Sequence, residues 1–259
     1  MDATFNFDGV FDEDYLYFYA DLLGDEQSDH DAALVASLLG LQPGMRVLDV
    51  PCGHGRIANR LAVGGAEVVA VDSNPLFLER ARRDAAARGV DVGYLRADMR
   101  ELPWLAGTDS DGGAGRFDGV VNWFTSFGYF DDDTDRRLLQ GFRRALRSGG
   151  GLVMDILNRD LLLLTRGRGR PAPTFLVERG DDLMIDRVHL DSSATRTYTE
   201  RILVRGGRVR RTSFSLRLFT FAELQGWLRD AGFCEVDAYA GNGTPFTWEA
   251  ERLVVFARA

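Results

Sequence analysis

Between residues 45 and 157 the chain alternates short apolar runs with longer amphipathic stretches, and this alternation constrains its fold more than any other feature. MRVLDV (45–50), AEVVAVD (66–72), VDVGYLRAD (90–98), FDGVVNWF (117–124) and GLVMDIL (151–157) read as strands. RIANRLAVGG (56–65), PLFLERARRDAAARG (75–89) and DTDRRLLQGFRRALRSGG (133–150) read as helices between them. Pro75 suits a first helical position and Gly89 a helix end. Near-continuous apolar strands separated by helices predict a parallel sheet with helices on both faces, a doubly wound α/β fold.

Two regions depart from the alternation. The first 44 residues read as helices at 11–23 and 30–41, the former crowded with aromatics. After Leu157, segments 174–179, 183–190, 196–205 and 208–219 alternate with period two, and RGGR at 205–208 suits a tight hairpin. They predict a small antiparallel β-layer inserted after the fifth strand. A helix over 221–233 and two strands, CEVDAYAG and ERLVVFAR, close the chain. The expected division is a helical lid (1–44), a ligand-binding core (45–157 and 220–259) and an inserted layer (158–219) over the substrate site. The stretch GTDSDGGAG (107–115) is expected to be a loop.

Composition narrows the chemistry. All 31 basic residues are arginine, which excludes a lysine Schiff base and a P-loop lysine. A net charge of −8 disfavours nucleic acid as a partner. No apolar run reaches the roughly 18–20 residues of a membrane span, and the acidic, aromatic N-terminus is unlike a signal peptide. Cys52 and Cys234 stand too far apart to suggest a metal cluster or disulfide framework. These features point to a cytoplasmic protein with no membrane partner and no metal; Asp131, Asp132 and Asp133 read as the first turn of a helix.

The loop after the first strand, LDVPCGHGRIA (48–58), carries the functional signal. Its glycines allow close backbone approach to a ligand, and the helix that follows offers free N–H groups. Asp72 ends the second strand, where a carboxylate can accept from both hydroxyls of an adenosine ribose. Asp98 and Met99 follow the third strand. GHGRIA alone also satisfies a dinucleotide-binding pattern, so an NAD(P)-dependent oxidoreductase competes. Against it stand the long N-terminal segment and the chain's closing helix–strand–loop–strand unit.

VLDVPCGHGR (47–56), VVAVDSN (68–74), RADMREL (96–102), FDGVVNWFTSFGYF (117–130), LRSGGGLVMDI (146–156) and the terminal AGF…RLVVFAR together resemble a class I S-adenosylmethionine-dependent methyltransferase of the small-molecule, specialised-metabolite branch. That resemblance implies a Rossmann-like seven-stranded sheet with an antiparallel last strand. It also implies S-adenosylmethionine as cofactor, S-adenosylhomocysteine as product and a small-molecule acceptor, and it allows a homodimer. The family's first loop glycine is Pro51 here. Proline has no N–H, so Cys52, Gly53 and later amides are expected to meet the methionine moiety.

By the same resemblance Asp72 and Ser73 face the ribose, Asp98 the adenine amino group and the Met99 backbone the ring. Asp49, Gly53, Gly55 and Arg56 complete the cofactor loop, Asn122 ends the fourth strand beside the sulfonium, and Tyr15 and Tyr19, one helical turn apart, close over the cofactor. Trp123, Phe127, Tyr129 and Asn158 are the acceptor-site candidates. The catalytic candidates are His189 and Tyr19. Plainer readings stand beside several of these: Asp49 organising loop amides, Met99 packing, Asn122 capping a strand, Arg56 and His189 on the surface. A non-catalytic S-adenosylmethionine-binding module is the third reading, although Asp72 and the loop glycines are retained.

Overall fold

The computed structural model describes residues 7–102, 117–166, 174–191 and 195–259; the loop expected at 107–115 lies outside them. Seven strands form the main sheet: β1 (Arg46–Asp49), β2 (Glu67–Asp72), β3 (Gly93–Arg96), β4 (Phe117–Asn122), β5 (Leu146–Leu157), β10 (Glu235–Tyr239) and β11 (Arg252–Arg258). Their order is β10-β11-β5-β4-β1-β2-β3. β11 runs antiparallel to β5 and β10, and the other neighbouring pairs are parallel. This is the doubly wound sheet with an antiparallel last strand. Its order reverses at β1, so the crevice beyond the ends of β1 and β4 is the expected place for a ligand.

Local chemistry accounts for the helices. α4 (Pro75–Arg88) starts where the Asn74 side chain accepts from the N–H groups of Leu76 and Phe77, and ends on Gly89 at φ 67°. α5 (Asp132–Ala145) is capped by Asp131, which accepts from Thr134 N at 2.8 Å. Its apolar side places Leu138, Leu139 and Phe142 in the core with Phe219, Leu224 and Leu228. α2 (Asp25–Leu39) and α3 (Ala58–Val63) complete the opposite layer with Val35, Ala58 and Leu61.

The structure departs from the sequence pattern at two boundaries and in one added helix. α1 covers only Glu13–Phe18, because Tyr19 leaves the helical region at φ −93°, ψ 4°. The helix expected to reach residue 150 stops at Ala145, and β5 begins at Leu146, which pairs with Phe117. A register shift absorbs residues 147–150, and Gly151 then passes where a Cβ would lie 2.7 Å from the Phe256 ring. An eight-residue helix, α6 (Arg159–Arg166), follows β5 and was not foreseen. Its start is fixed by Asn158, whose side-chain oxygen accepts from Asp160 N.

A second, four-stranded antiparallel sheet follows: β6 (Thr174–Arg179), β7 (Asp182–Asp191), β8 (Arg196–Arg205) and β9 (Arg208–Arg217), in sequential order. Gly206 and Gly207, with φ 54° and 74°, make the two-residue turn between β8 and β9. Helix α7 (Phe221–Asp230) returns the chain to the main sheet. The second sheet meets the N-terminal segment through Phe18, Met184 and Leu203. Arg205 pairs with Asp14 at 2.8 Å, and Arg210 reaches Asp14 at 2.7 Å and the Gly9 carbonyl at 2.8 Å. Among the described residues, no helix is long and apolar enough to cross a membrane.

Asp135 on α5 is fully buried, and neither of its carboxyl oxygens has a hydrogen-bond partner. Burial pushes its pKa up to about 7, Arg196 and Arg217 opposing and Asp131 and Asp132 reinforcing. The folded state therefore retains a proton that the unfolded chain releases near its ordinary value. Stability falls as pH rises from about 4 through about 7, then levels off. Asp135→Asn is expected to raise the melting temperature at pH 8 by about 5 °C and to change it little at pH 4.5. Equal shifts at both pH values in thermal melts would contradict this.

Candidate functional site

The loop after β1, the ends of β2 and β3, the turn after β4 and the N-terminal segment enclose a cleft of about 1060 Å³, open mouth included.

On one side stands the glycine loop. Gly53 has φ 55°, and a Cβ placed there would meet nothing within 4 Å, so the backbone edges the cleft with open space before it. The Gly53 N–H donates to Asp72 Oδ2 at 2.8 Å, and Asn74 N donates to Asp72 Oδ1 at 2.8 Å. An ionised carboxylate has about four acceptor sites, so each Asp72 oxygen keeps capacity for a ligand hydroxyl. Burial raises the Asp72 pKa, and these amide bonds oppose the rise. Cys52 N donates to the Val71 carbonyl at 2.8 Å. This corrects the expectation that the Cys52 and Gly53 amides are free for the methionine moiety: both are engaged within the protein, bracing the loop against β2.

Gly55 has another position than expected. It does not line the cleft; a Cβ there would fall 2.5 Å from the Tyr94 hydroxyl and 2.7 Å from Ala81 Cβ. Its role is to let the loop and α4 approach. Asp49 and Ser73 do line the cleft, and Asp49 Oδ2 is buried without a partner. Burial pushes the Asp49 pKa up to about 8, against the charge of Arg56. Asp98 lines the cleft beside buried Met99, but Arg100 grips its carboxylate at 2.6 Å and holds its pKa below the ordinary value. His54 also lines it; burial and the charges of Arg56 and Arg80 push its pKa down to about 4.

The opposite side is aromatic. Phe7, Phe11 and Tyr15 from the N-terminal segment meet Tyr129 and Phe130 from the turn after β4, with Phe11 and Tyr129 centroids 5.8 Å apart. Asn74 Nδ2 donates to the Phe11 carbonyl at 2.6 Å, tying this canopy to the turn between β2 and α4. Tyr15 stacks on Tyr19 at 4.6 Å. Tyr19 stands behind it, its hydroxyl accepting from Arg201 of β8 at 2.9 Å. Arg201 is in turn held by both oxygens of buried Asp186.

The turn after β4 adopts an unusual backbone. Phe124 and Thr125 have φ 59° and 58°, the left-handed region in which non-glycine residues are uncommon. Asp155 holds them: its Oδ2 accepts from Phe124 N at 3.0 Å and its carbonyl from Thr125 N at 2.8 Å. Arg252 clamps Asp155 and reaches the Thr125 hydroxyl at 2.7 Å. Trp123 lines the cleft, and its indole N–H donates to Asp31 of α2 at 3.0 Å. Asn122 is fully buried behind the loop and donates to the Val50 carbonyl at 2.8 Å.

Four expected acceptor or catalytic residues lie off the cleft, the first being the catalytic candidate Tyr19, which stands behind Tyr15 and does not line it. Phe127 turns into the core against Phe219, 5.4 Å away, because the left-handed turn reverses the chain before it. Asn158 donates to the Trp248 and Ala250 carbonyls. His189 is exposed on β7 opposite Tyr198. The sequence reading also passed over Phe7, Phe11, Asp31, Asn74, Asp155, Arg201 and Arg252. An aspartate within the apolar spacing of HDAALVASLL was the one local signal available for Asp31.

A glycine loop at the switch point of a sheet with one reversed strand, with Asp72 ending β2 and an acid after β3, is the arrangement of a class I S-adenosylmethionine-dependent methyltransferase fold, and the chain is similar to such proteins. Residues 47–150 match the family model described as "Methyltransferase domain". The glycine loop that also satisfies a dinucleotide pattern lies within the residues that match this methyltransferase model. The CcbJ methyltransferase from Streptomyces caelestis has the same fold over 93% of this chain and 96% of its own, with TM-score 0.73 and 25% identity. CalS10, an amino pentose methyltransferase from Micromonospora echinaspora, covers 98% of this chain and 99% of its own, with TM-score 0.64 and 22% identity. A ubiquinone biosynthesis O-methyltransferase from Alkalilimnicola ehrlichii is 33% identical over 126 residues, 49% of this chain and 47% of that protein. The chain spans less than half the length of such curated relatives.

The cleft fits the cofactor this class uses. Asp72 keeps hydrogen-bond acceptor capacity, Asp98 and Met99 line the cleft, and unpartnered polar atoms of Asp49 and Arg56 belong to residues lining the same space.

Proposed function

We propose that this chain transfers a methyl group from S-adenosylmethionine to a nucleophilic nitrogen, carbon or oxygen of a small molecule, leaving S-adenosylhomocysteine. Asp72 and Ser73 hold the ribose, Asp98 and Met99 the adenine, and the Gly53 region, Asp49 and Arg56 the amino-acid end. Tyr15, backed by Tyr19, closes that half. When bound, the cofactor supplies a sulfonium methyl carbon open to in-line attack.

The observation that carries the acceptor assignment is the makeup of the other half of the cleft. It consists of Trp123, Phe124, Tyr129, Phe130 and the Phe7–Tyr15 canopy. Its titratable groups are the Tyr15 and Tyr129 phenols, and burial pushes both well above their ordinary range. His54, at about 4, is too weak a base to take a proton from an amine. These walls position and dehydrate an acceptor, contributions that suffice for displacement at a sulfonium. The acceptor must bring its own lone pair, as a neutral amine or an electron-rich carbon does, and release its proton to solvent. The aromatic faces suit an amine, since they also attract its cationic form. CalS10 and the sugar N-methyltransferase KedS8, both of this fold, lend support.

Calorimetric titration with S-adenosylhomocysteine and, separately, NADH tests the reading. Micromolar binding of the first and none of the second is expected. Binding of NADH alone would replace it with the oxidoreductase reading.

A further inference from the structure

We infer that Thr125 selects the acceptor: its hydroxyl donates a hydrogen bond to an uncharged oxygen of the small molecule, so the substrate class is an oxygenated amine, such as an amino alcohol or amino sugar. The inference deepens the methyl-transfer reading above and rests on it. Thr125 lies in the turn after β4 and lines the cleft between Phe124 and Ser126. Arg252 Nη2 donates to Asp155 Oδ2 at 2.7 Å and to Thr125 Oγ at 2.7 Å, spending both of its hydrogens. A guanidinium has donors only, so the threonine oxygen accepts there and its own proton is left over. Among the described residues nothing takes that proton. Ser126 differs, because its hydroxyl donates to the Trp123 carbonyl at 2.8 Å.

The backbone supports the same role. A β-branched residue at φ 58° is a strained outlier that glycine would relieve. The fold nevertheless keeps Thr125 there, with its N–H on the Asp155 carbonyl at 2.8 Å and its oxygen on Arg252. The cationic donor behind that oxygen strengthens the bond its proton makes. Aromatic rings surround it in this half of the cleft, so a purely hydrocarbon amine would leave the donor unpaired. The partner is not the nucleophilic nitrogen, since a proton donated to that lone pair would withhold it from the methyl carbon. A second amine would arrive protonated and offer no lone pair. Arg252 is already paired with both oxygens of Asp155, so it offers a carboxylate no net charge. An alcohol or ether oxygen meets every one of these conditions.

The test uses two amines that differ by a single hydroxyl, trans-2-aminocyclohexanol and cyclohexylamine, with S-adenosylmethionine as donor and the full chain as enzyme. It reads the ratio of their kcat/KM values, and comparing that ratio between wild type and variant cancels the two amines' different basicities. Thr125→Val is expected to lower the preference for the amino alcohol about 10-fold, the effect of one hydrogen bond. Thr125→Gly, which adopts φ 58° without strain, should lower it equally and covers the case in which the valine variant misfolds. Thr125→Ser, which keeps the hydroxyl, should hold the preference within about threefold of wild type. An unchanged ratio in Thr125→Gly would overturn the assignment, including one in which both amines lose turnover alike, the mark of a merely structural role. Wild type that binds S-adenosylhomocysteine in calorimetry but methylates neither amine would overturn the acceptor class and leave the cofactor reading standing. Failure to bind S-adenosylhomocysteine would overturn both.

Discussion

Asp72→Ala is expected to weaken S-adenosylhomocysteine binding at least about 100-fold, since each charge-assisted hydrogen bond to a ribose hydroxyl contributes roughly 1.5–3 kcal/mol. The chain should still fold. Asp72 lies at the end of β2, outside the sheet's central packing, and its protein partners are backbone amides, those of Gly53, Ser73 and Asn74. Losing them costs about 2 kcal/mol, a fall of about 5 °C in melting temperature. Titration by calorimetry, with a thermal melt of the free protein as control, separates the two effects. Unchanged affinity in a folded Asp72→Ala variant would remove this residue from the cofactor site.

Gly55→Ala should do the reverse, damaging the fold before the ligand. The added methyl would enter a left-handed backbone at φ 79° and lie 2.5 Å from the Tyr94 hydroxyl and 2.7 Å from Ala81 Cβ. The Tyr94 hydroxyl cannot simply yield, because it donates to Asn59, which also bonds the Ala81 carbonyl. Overpacking and backbone conformation together cost about 3 kcal/mol or more, or about 10 °C in melting temperature. Gly53→Ala is the control: its backbone is also left-handed, but open space surrounds the added atom. Equal melting temperatures for the two variants would show that the contact with α4 is unimportant.

The two glycines show how far the sequence could be read. GHG marks a backbone that must turn sharply beside a ligand, and that much is local. Nothing in the triplet tells which glycine faces the cleft and which faces α4, since Tyr94 and Ala81 reach Gly55 only after β3 and α4 have packed. The same holds for Phe127. The spacing of SFGYF leaves Phe127 and Tyr129 equally suited to an acceptor wall; the left-handed Phe124–Thr125 turn, held by Asp155 and Arg252, sends one to the core and the other to the cleft. His189 failed for a simpler reason. A period-two strand marks alternate faces without saying which is covered, and β7 turns Asp186 inward and leaves His189 exposed.

What this sequence determined by itself is whatever short-range physics can encode. Apolar runs of strand length, helix caps at Asn74 and Asp131, the Gly206–Gly207 turn and an acid ending β2 each depend on neighbours a few residues away. The tertiary structure alone decided the contacts that give the cleft its chemistry. Asp31 meets Arg56 and Trp123, Arg201 meets Tyr19, and Arg252 meets Asp155, all across long stretches of chain. Such pairs leave little local signature, because the strength of a buried ion pair comes from the low-dielectric surroundings that exist only once both layers and the second sheet have closed around it.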